Sequence, residues 1–111
     1  MEARLVATCD YCTKTFPRRM IVAAHKKRRQ YADATERRDL KNIMLNCTQC
    51  DHLYEHGHIS IGHDGRVLAE PRPETSDLAS LVNALAGRQC PAHDAGSEQY
   101  FSWHRDQRLR R

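Results

Sequence analysis

Two Cys-x-x-Cys pairs constrain this chain more than any other feature of its sequence. They are Cys9–Cys12 and Cys47–Cys50, and they bracket a long insert at 13–46. Four thiolates at this spacing suit a tetrahedral Zn²⁺, because each two-residue spacer lets both sulfur atoms of a pair face one ion. Such an ion would clamp two distant stretches of chain and fix the shape of the insert. A zinc with four cysteine ligands is closed to substrate, so we expect this Zn²⁺ to be structural.

The composition favours a small domain that a metal helps to stabilise. The chain has 111 residues, only 6% of them aromatic, and a mean hydropathy of −0.78. A chain of this length buries a modest share of its surface, so we do not expect a large hydrophobic core. A bound metal is a common way for domains of this size to gain stability.

The sequence also indicates where such a protein would work. It contains no run of about 18 apolar residues, so we expect no membrane span and no membrane partner. Residues 1–5 lack the apolar region of a signal peptide. We therefore expect a cytoplasmic protein, in a reducing compartment where paired cysteines bind metal rather than form disulfides. Cys90 has no partner pattern, and we interpret it as a buried or idle thiol.

Charge is distributed unevenly along the chain. The formal net charge is +4, but basic residues concentrate in 14–41 and 101–111, whereas 51–99 is acidic. Two basic ends of this kind indicate a polyanionic partner, and nucleic acid is the most common one. The alternative is a solvated basic face that binds nothing.

The pattern of apolar residues predicts an α+β fold. An apolar run at 20–24 predicts a buried strand with His25 at its end. The polar stretch 26–41 reads as a loop with one helical turn. Thr48 is the predicted N-terminal cap of a helix that Gly57 ends.

A β-hairpin and two helices are predicted to follow this helix. The alternation at 59–61 and the turn signal Asp64-Gly65 predict the hairpin. Ser76 is the predicted cap of one helix, and Ser97 begins the last. We therefore expect a zinc-clamped core at 1–70 and a C-terminal helical extension at 71–111 packed on it.

Three polar residues around the insert carry the candidate chemistry. Hydrolysis of a phosphodiester needs a group that titrates near neutral pH to take a proton from water, and histidine suits this role, which makes His25 the candidate general base. Asn42 lies shortly before the second cysteine pair and Asp51 directly after it, so the clamp would return both toward His25. Asp51 is a hard oxygen ligand for Mg²⁺ or Mn²⁺. Asn42 is expected to orient the His25 ring through its amide oxygen. The structural alternatives are a packing histidine, a turn asparagine and a helix-terminal charge.

A combination of short motifs extends this pattern over 9–68. Besides the cysteine pairs, they are Ala23-Ala24-His25-Lys26-Lys27-Arg28, Glu36-Arg37-x-Asp39, Asn42-Ile43-Met44 and Cys50-Asp51-x-Leu53-Tyr54-Glu55-x-Gly57-x-Ile59. With these motifs the chain resembles the HNH endonucleases, the zinc-clamped ββα-metal nucleases of restriction and homing systems. The segment 100–106 resembles a tail found after restriction-type HNH domains.

The resemblance implies roles for the three polar residues. His25 would be the general base, Asn42 the middle residue and Asp51 the third signature residue. The chain departs from the family pattern twice: Asp51 stands where many members have histidine, and Ala24 stands where many have an acidic metal ligand. A second ligand for the catalytic ion would then come from a nearby residue; the substitutes by sequence are His52, Glu55 and His56.

These observations lead to a functional hypothesis with alternatives. We expect a DNA endonuclease that uses Mg²⁺ or Mn²⁺, with Zn²⁺ as a structural ion and with DNA as its partner. Lys26, Lys27, Arg28 and Arg29 would grip the DNA backbone, which carries no sequence information. Specificity would then require a homodimer or a separate target-recognition subunit. The alternatives are a non-catalytic zinc module that binds nucleic acid, and a degenerate nuclease.

Overall fold

The computed structural model describes residues 5–111, and this part of the chain contains three two-stranded hairpins and four α-helices. The expectation that no signal peptide is present falls mainly on residues 1–4, which lie outside the described residues. Among residues 5–111, no helix is both long enough and apolar enough to cross a membrane.

The first hairpin carries the first cysteine pair in its turn. Strand β1 (Val6–Thr8) pairs antiparallel with β2 (Thr15–Pro17), and the intervening turn contains Cys9 and Cys12. Asp10, between them, docks the turn on a later strand, since its backbone N–H and its carboxylate both bond to Leu45, each at 2.7 Å. The turn is thereby held against the second cysteine pair.

The second hairpin and the helix after it form the centre of the molecule. Strand β3 (Ile21–His25) pairs antiparallel with β4 (Ile43–Cys47), with His25 opposite Ile43. Helix α2 (Thr48–Glu55) follows β4 directly. The loop between the strands contains one short helix, α1 (Ala34–Arg38). The order is thus strand, loop, strand, helix.

The remaining elements pack around this centre. Strands β5 (Ile59–Ile61) and β6 (Val67–Ala69) form the third hairpin. Helix α3 (Ser76–Leu85) contacts β6, and α4 (Glu98–Gln107) contacts β5. The α+β class, the third hairpin and the two C-terminal helices are therefore as predicted.

One hydrophobic cluster joins the elements. It contains the cysteines of both pairs together with Tyr54, Ile59 and Ile61, and it also includes Val82 and Phe101. Side chains from both sides of the predicted boundary at residue 70 therefore share one core. The boundary itself stays a prediction.

Two predicted helix caps are wrong by one residue. Helix α2 is capped by Cys47 rather than Thr48, because the Cys47 Sγ accepts the N–H of Cys50 at 3.4 Å. Helix α3 is capped by Thr75 rather than Ser76, because the Thr75 hydroxyl accepts the N–H of Leu78 at 3.1 Å. In both places the side chain one position earlier in the chain accepts the hydrogen bond of the cap.

Candidate functional site: a cysteine cluster beside a histidine pocket

The four cysteines of the two pairs converge on one point. The Sγ atoms of Cys9, Cys12, Cys47 and Cys50 all lie within 4.8 Å of one another, and all four residues are buried. Two come from the turn between β1 and β2, one from the end of β4 and one from the first turn of α2. Four converging sulfur ligands without a fifth group suit a tetrahedral Zn²⁺.

Backbone groups favour the thiolate form of Cys9 in this cluster. The N–H groups of Tyr11 and Cys12 point to the Sγ of Cys9 at 3.4 and 3.5 Å. The Cys50 thiol and these N–H groups lower the pKa of Cys9. Burial raises the pKa of Cys12, and the hydrogen bond with Cys9 raises the pKa of Cys50. A ligand thiol must lose its proton to bind metal, so a cation is needed to hold Cys12 and Cys50 as thiolates beside Cys9.

Cys90 lies outside the cluster, as its sequence context predicts. It is buried, and its thiol points to the backbone oxygen of Asp10 at 3.5 Å. Burial raises the pKa of Cys90 to about 11, so its thiol stays protonated and unreactive at neutral pH.

A separate pocket of about 260 Å³ lies at the end of β3. We call it the His25 pocket. Its lining combines the apolar end of β3, basic residues of the following loop and two carboxylates of α2. The lining residues are Val22, Ala23, Ala24, His25, Arg28, Arg29, Gln30, Asp51 and Glu55. The structure therefore brings His25 and Asp51, which are distant in sequence, to one cavity.

The ring of His25 is held by a backbone carbonyl. Its Nε2 lies 3.1 Å from the carbonyl oxygen of Arg37, which lies in the last turn of α1. A carbonyl only accepts hydrogen bonds, so Nε2 carries the proton in this contact and Nδ1 of the neutral ring is the proton acceptor. The neutral ring thus keeps one nitrogen that can accept a proton, as a general base needs.

The expectation that Asn42 orients the His25 ring is wrong. The Asn42 amide oxygen instead accepts the N–H of Lys27 at 2.7 Å. Its amide nitrogen donates to the carbonyl oxygens of Lys27 and Glu36, at 3.3 and 3.1 Å. Fully buried, Asn42 fixes the two ends of the loop whose Arg37 carbonyl holds His25. Its influence on the ring is therefore indirect.

Asp51 is paired with an arginine that the sequence pattern did not connect to it. Arg28 Nη2 lies 3.2 Å from the Asp51 Oδ1 and 3.2 Å from its backbone oxygen. The guanidinium of Arg28 also stacks over the Tyr54 ring, with 5.1 Å between Cζ and the ring centroid. Arg28 is thereby held inside the pocket, where it places a positive charge beside the carboxylate.

Glu55 is the second carboxylate that lines the His25 pocket. It lies one helical turn after Asp51 on α2, and both residues line the same cavity. The other substitutes considered from sequence, His52 and His56, contact each other with ring centroids 4.3 Å apart and ring planes at 48°, and they are not among the lining residues. In the sequence, the signal for Glu55 was its position four residues after Asp51, which places both residues on the same face of a helix.

The predicted DNA-gripping loop is only partly available. Lys26 is 2% exposed, its Nζ donates to the backbone oxygen of Ala92 at 2.8 Å, and it lies over the Phe101 ring. The prediction that Lys26 contacts nucleic acid is therefore wrong. Lys27 pairs with Glu36 at 3.0 Å, and Arg28 is committed to Asp51. Among the four residues, Arg29 is exposed.

A larger cavity lies away from this chemistry. It measures about 500 Å³ and runs between α3 and the cysteine cluster. The described residues that line it include Phe16, Met20 and Leu81 but no carboxylate and no imidazole. We therefore assign the chemistry to the smaller His25 pocket.

Comparisons with known proteins add no family assignment. No protein-family model matches the chain, and no curated protein matches it. The functional argument accordingly rests on the four-cysteine cluster and on the geometry of the His25 pocket.

Proposed function

We propose that this chain is an HNH-type endonuclease that hydrolyses DNA phosphodiester bonds with the help of a divalent ion. The observation that carries the proposal is the shared pocket: His25, with Nδ1 as its proton acceptor, lines the same cavity as Asp51 and Glu55. A base and two carboxylates that line one cavity are the combination that metal-assisted phosphodiester hydrolysis needs.

His25 would act on the attacking water. The water oxygen forms the new bond to phosphorus, the bond to the leaving oxygen breaks, and the proton of the water passes to Nδ1 of His25. The Arg37 carbonyl holds Nε2–H and so stabilises the imidazolium that results. The leaving oxygen takes a proton from solvent.

Asp51 and Glu55 would hold the divalent ion. Mg²⁺ and Mn²⁺ favour carboxylate oxygens together with phosphate oxygens, which is the ligand set that this pocket and its substrate offer. When bound, the ion supplies Lewis-acid stabilisation of the charge that develops on the phosphate and on the leaving oxygen. Of the two Asp51 oxygens, Oδ1 is engaged by Arg28. That guanidinium can turn to the phosphate once the carboxylate binds a cation.

The zinc would serve as the frame of this site. Cys47 and Cys50 flank the start of α2, and Asp51 is the next residue of the helix. Fixing both sulfur atoms therefore fixes the direction in which Asp51 leaves the helix. The opposite pair anchors the turn that Asp10 docks on β4. The zinc takes no part in the chemistry under this proposal.

One observation favours a second candidate, a zinc module that binds nucleic acid without cutting it. The Arg28–Asp51 ion pair already neutralises the carboxylate that the divalent ion needs. Ala24, which lines the pocket, adds no further ligand. In that case the fold would be that of a degenerate nuclease, and His25 would have no chemical role.

Nicking of a supercoiled plasmid tests the proposal. We expect cleavage by zinc-loaded protein only when Mg²⁺ or Mn²⁺ is added, and a loss of about 100- to 10,000-fold in His25→Ala, the usual contribution of a general base. Asp51→Asn should raise the ion concentration required. The ion is omitted rather than chelated, because a chelator would also attack the zinc site.

His63→Ala is the matched control. His63 is also a histidine but is 84% exposed, and it lies outside the His25 pocket. This variant should cut at the rate of the wild-type protein. Tight, salt-sensitive DNA binding with no ion-dependent cleavage would reject the nuclease and support the binding module.

A further inference from the structure

A second small cavity beside the His25 pocket is lined by three arginines. It measures about 240 Å³, and its lining residues are Arg29, Ala34, Arg37 and Arg38. All three arginines are exposed. We call this cavity the arginine pocket. Three guanidinium groups around one small space create a strong local positive field.

The acidic residues of the same loop do not neutralise this charge. Asp33 caps α1 by accepting the N–H of Glu36, and Glu36 pairs with Lys27. Asp39 accepts the backbone N–H of Lys41 and the hydroxyl of Tyr100. Within residues 5–111, none of the three pocket arginines forms an ion pair with a carboxylate. The loop therefore presents to one cavity three arginines that have no carboxylate partner among the described residues.

The arginine pocket is physically joined to the His25 pocket. Arg29 lines both cavities. Arg37 links them a second time, since its Nε donates to the backbone oxygen of Arg29 at 3.0 Å while its own carbonyl holds His25. A polyanion lying in one pocket would therefore pass directly into the other.

We propose that the arginine pocket binds a phosphate of the cleaved DNA strand next to the phosphate that enters the His25 pocket. The inference rests on the proposed nuclease function and assigns its substrate contact. Guanidinium groups match phosphate oxygens in two-point contacts, and three of them around one cavity suit a phosphodiester better than a single lysine would. Contacts to phosphates position a strand without reading its sequence. This pocket replaces the buried Lys26 and the paired Lys27 as the DNA grip.

The salt dependence of DNA binding tests this assignment. Binding of a fluorescent 20-base-pair duplex is followed by anisotropy in the His25→Ala background, with no divalent ion added, at several salt concentrations. Each phosphate contact contributes about 0.9 to the slope of log affinity against log salt. We expect Arg29→Gln with Arg38→Gln together to lower the magnitude of the slope by about 0.9, the contribution of the one phosphate that the pocket binds, and Arg38→Gln alone to lower it by part of that amount.

Arg72→Gln is the matched control. Arg72 is an exposed arginine outside both pockets, in the segment between β6 and α3. It should leave the slope at the wild-type value. Equal slopes for Arg38→Gln and Arg72→Gln, with circular dichroism showing both folded, would overturn the assignment.

Two further readouts separate this inference from the nuclease proposal and from a free-anion site. If cleavage is absent but Arg38→Gln still lowers the slope, the phosphate site stands and the catalytic proposal fails. In an active protein, Arg38→Gln should raise KM and leave kcat within a few fold. If millimolar inorganic phosphate binds in an Arg38-dependent way while the DNA slope is unchanged, the pocket is a site for the free anion and the assignment to DNA is wrong.

Discussion

At the residue scale, two buried asparagines near the second cysteine pair have opposite surroundings. Asn42 and Asn46 are both 0% exposed. The Asn42 amide makes three hydrogen bonds to the backbone of the loop, whereas neither amide atom of Asn46 has a partner among the described residues. The first asparagine therefore stabilises the fold through its polar group, and the second does not.

This contrast gives a paired prediction on stability. Asn42→Ala should lower the free energy of unfolding by about 3 kcal/mol, because it leaves a buried N–H and carbonyl groups unpaired. Asn46→Leu should change it by less than about 1 kcal/mol, since it replaces an unpaired amide by an apolar group of similar size. Urea unfolding at neutral pH measures both. Equal losses in the two variants would contradict the assigned roles.

His104 predicts a dependence of stability on pH. Burial lowers the pKa of His104 to about 3, whereas an exposed histidine titrates near 6.5. Its Nε2 donates to the Tyr54 carbonyl, and its Nδ1 accepts the Ser60 hydroxyl. Between these two pKa values the unfolded chain binds the extra proton, so stability falls as the pH drops below 6.5. The loss between pH 7 and pH 5 is about 2 kcal/mol.

Urea unfolding across this pH range isolates the contribution of His104. His104→Gln should start less stable at pH 7 but lose about 2 kcal/mol less on going to pH 5, because it lacks the titrating ring. His52→Gln is the matched control, because it removes an exposed histidine that forms no ion pair with a carboxylate among residues 5–111. It should keep the wild-type slope. The assignment fails if both variants lose stability in parallel with the wild-type protein.

At the scale of the elements, local signals predicted most of the chain between β3 and α4. The apolar run predicted β3 as a strand, but the prediction that it is buried is wrong, since Val22 and Ala23 are exposed while Ala24 is buried. The alternation of β5 and the turn at Gly65 lie within a few residues of the structure they predict. The hairpin of β1 and β2 was not predicted. Its strands have three residues each and depend on a cysteine turn that docks on β4, 35 residues away.

The candidate site was predictable only in part, for a similar reason. Two cysteine pairs that bind one zinc and flank an insert predict that His25 and Asp51 approach each other. The burial of Lys26 follows from contacts with Ala92 and Phe101, both more than 60 residues away, and no local pattern carries it. The carbonyl that holds His25 belongs to the backbone of Arg37, so no residue type in the sequence indicates this contact.

One element contact depends on glycine. Gly57 ends α2 with a φ of 76°, and a Cβ at this position would overlap the carbonyl oxygen of Arg108. The Arg110 N–H also donates to the Gly57 carbonyl at 2.9 Å. The turn after α2 is therefore the surface on which the end of the chain lies.

Two glycine variants separate backbone strain from this contact. A positive φ alone costs an alanine roughly 1–2 kcal/mol. Gly57→Ala should lower the free energy of unfolding by clearly more than this, because the end of the chain must also move. Gly87 also has a positive φ, of 82°, but no atom lies within 4 Å of the Cβ that Gly87→Ala would add, so only the backbone strain remains. Thermal unfolding compares the two. A loss in Gly57→Ala no larger than in Gly87→Ala would show that the chain end does not dock there.

At the scale of the whole molecule, the cysteine cluster holds together parts of the chain that few other contacts join. It links the β1–β2 turn to β4 and α2, and its sulfur atoms lie within the main hydrophobic cluster. The same frame places α2, and with it Asp51 and Glu55, against the end of β3. Under the proposed function two metals have separate tasks: zinc would fix the shape of the site, and a second ion would assist the hydrolysis.

Counting metal ions on protein whose DNA cleavage is followed in parallel tests this division most directly. We expect one zinc per chain in the wild-type protein and in Cys90→Ala, whose thiol lies outside the cluster, but loss of zinc and of the folded state in Cys47→Ala. Cleavage should be absent with zinc alone and should appear with added Mg²⁺ or Mn²⁺ while zinc stays at one per chain. Full cleavage by protein that holds one zinc and no second ion would contradict the account, because the reaction would then belong to the zinc.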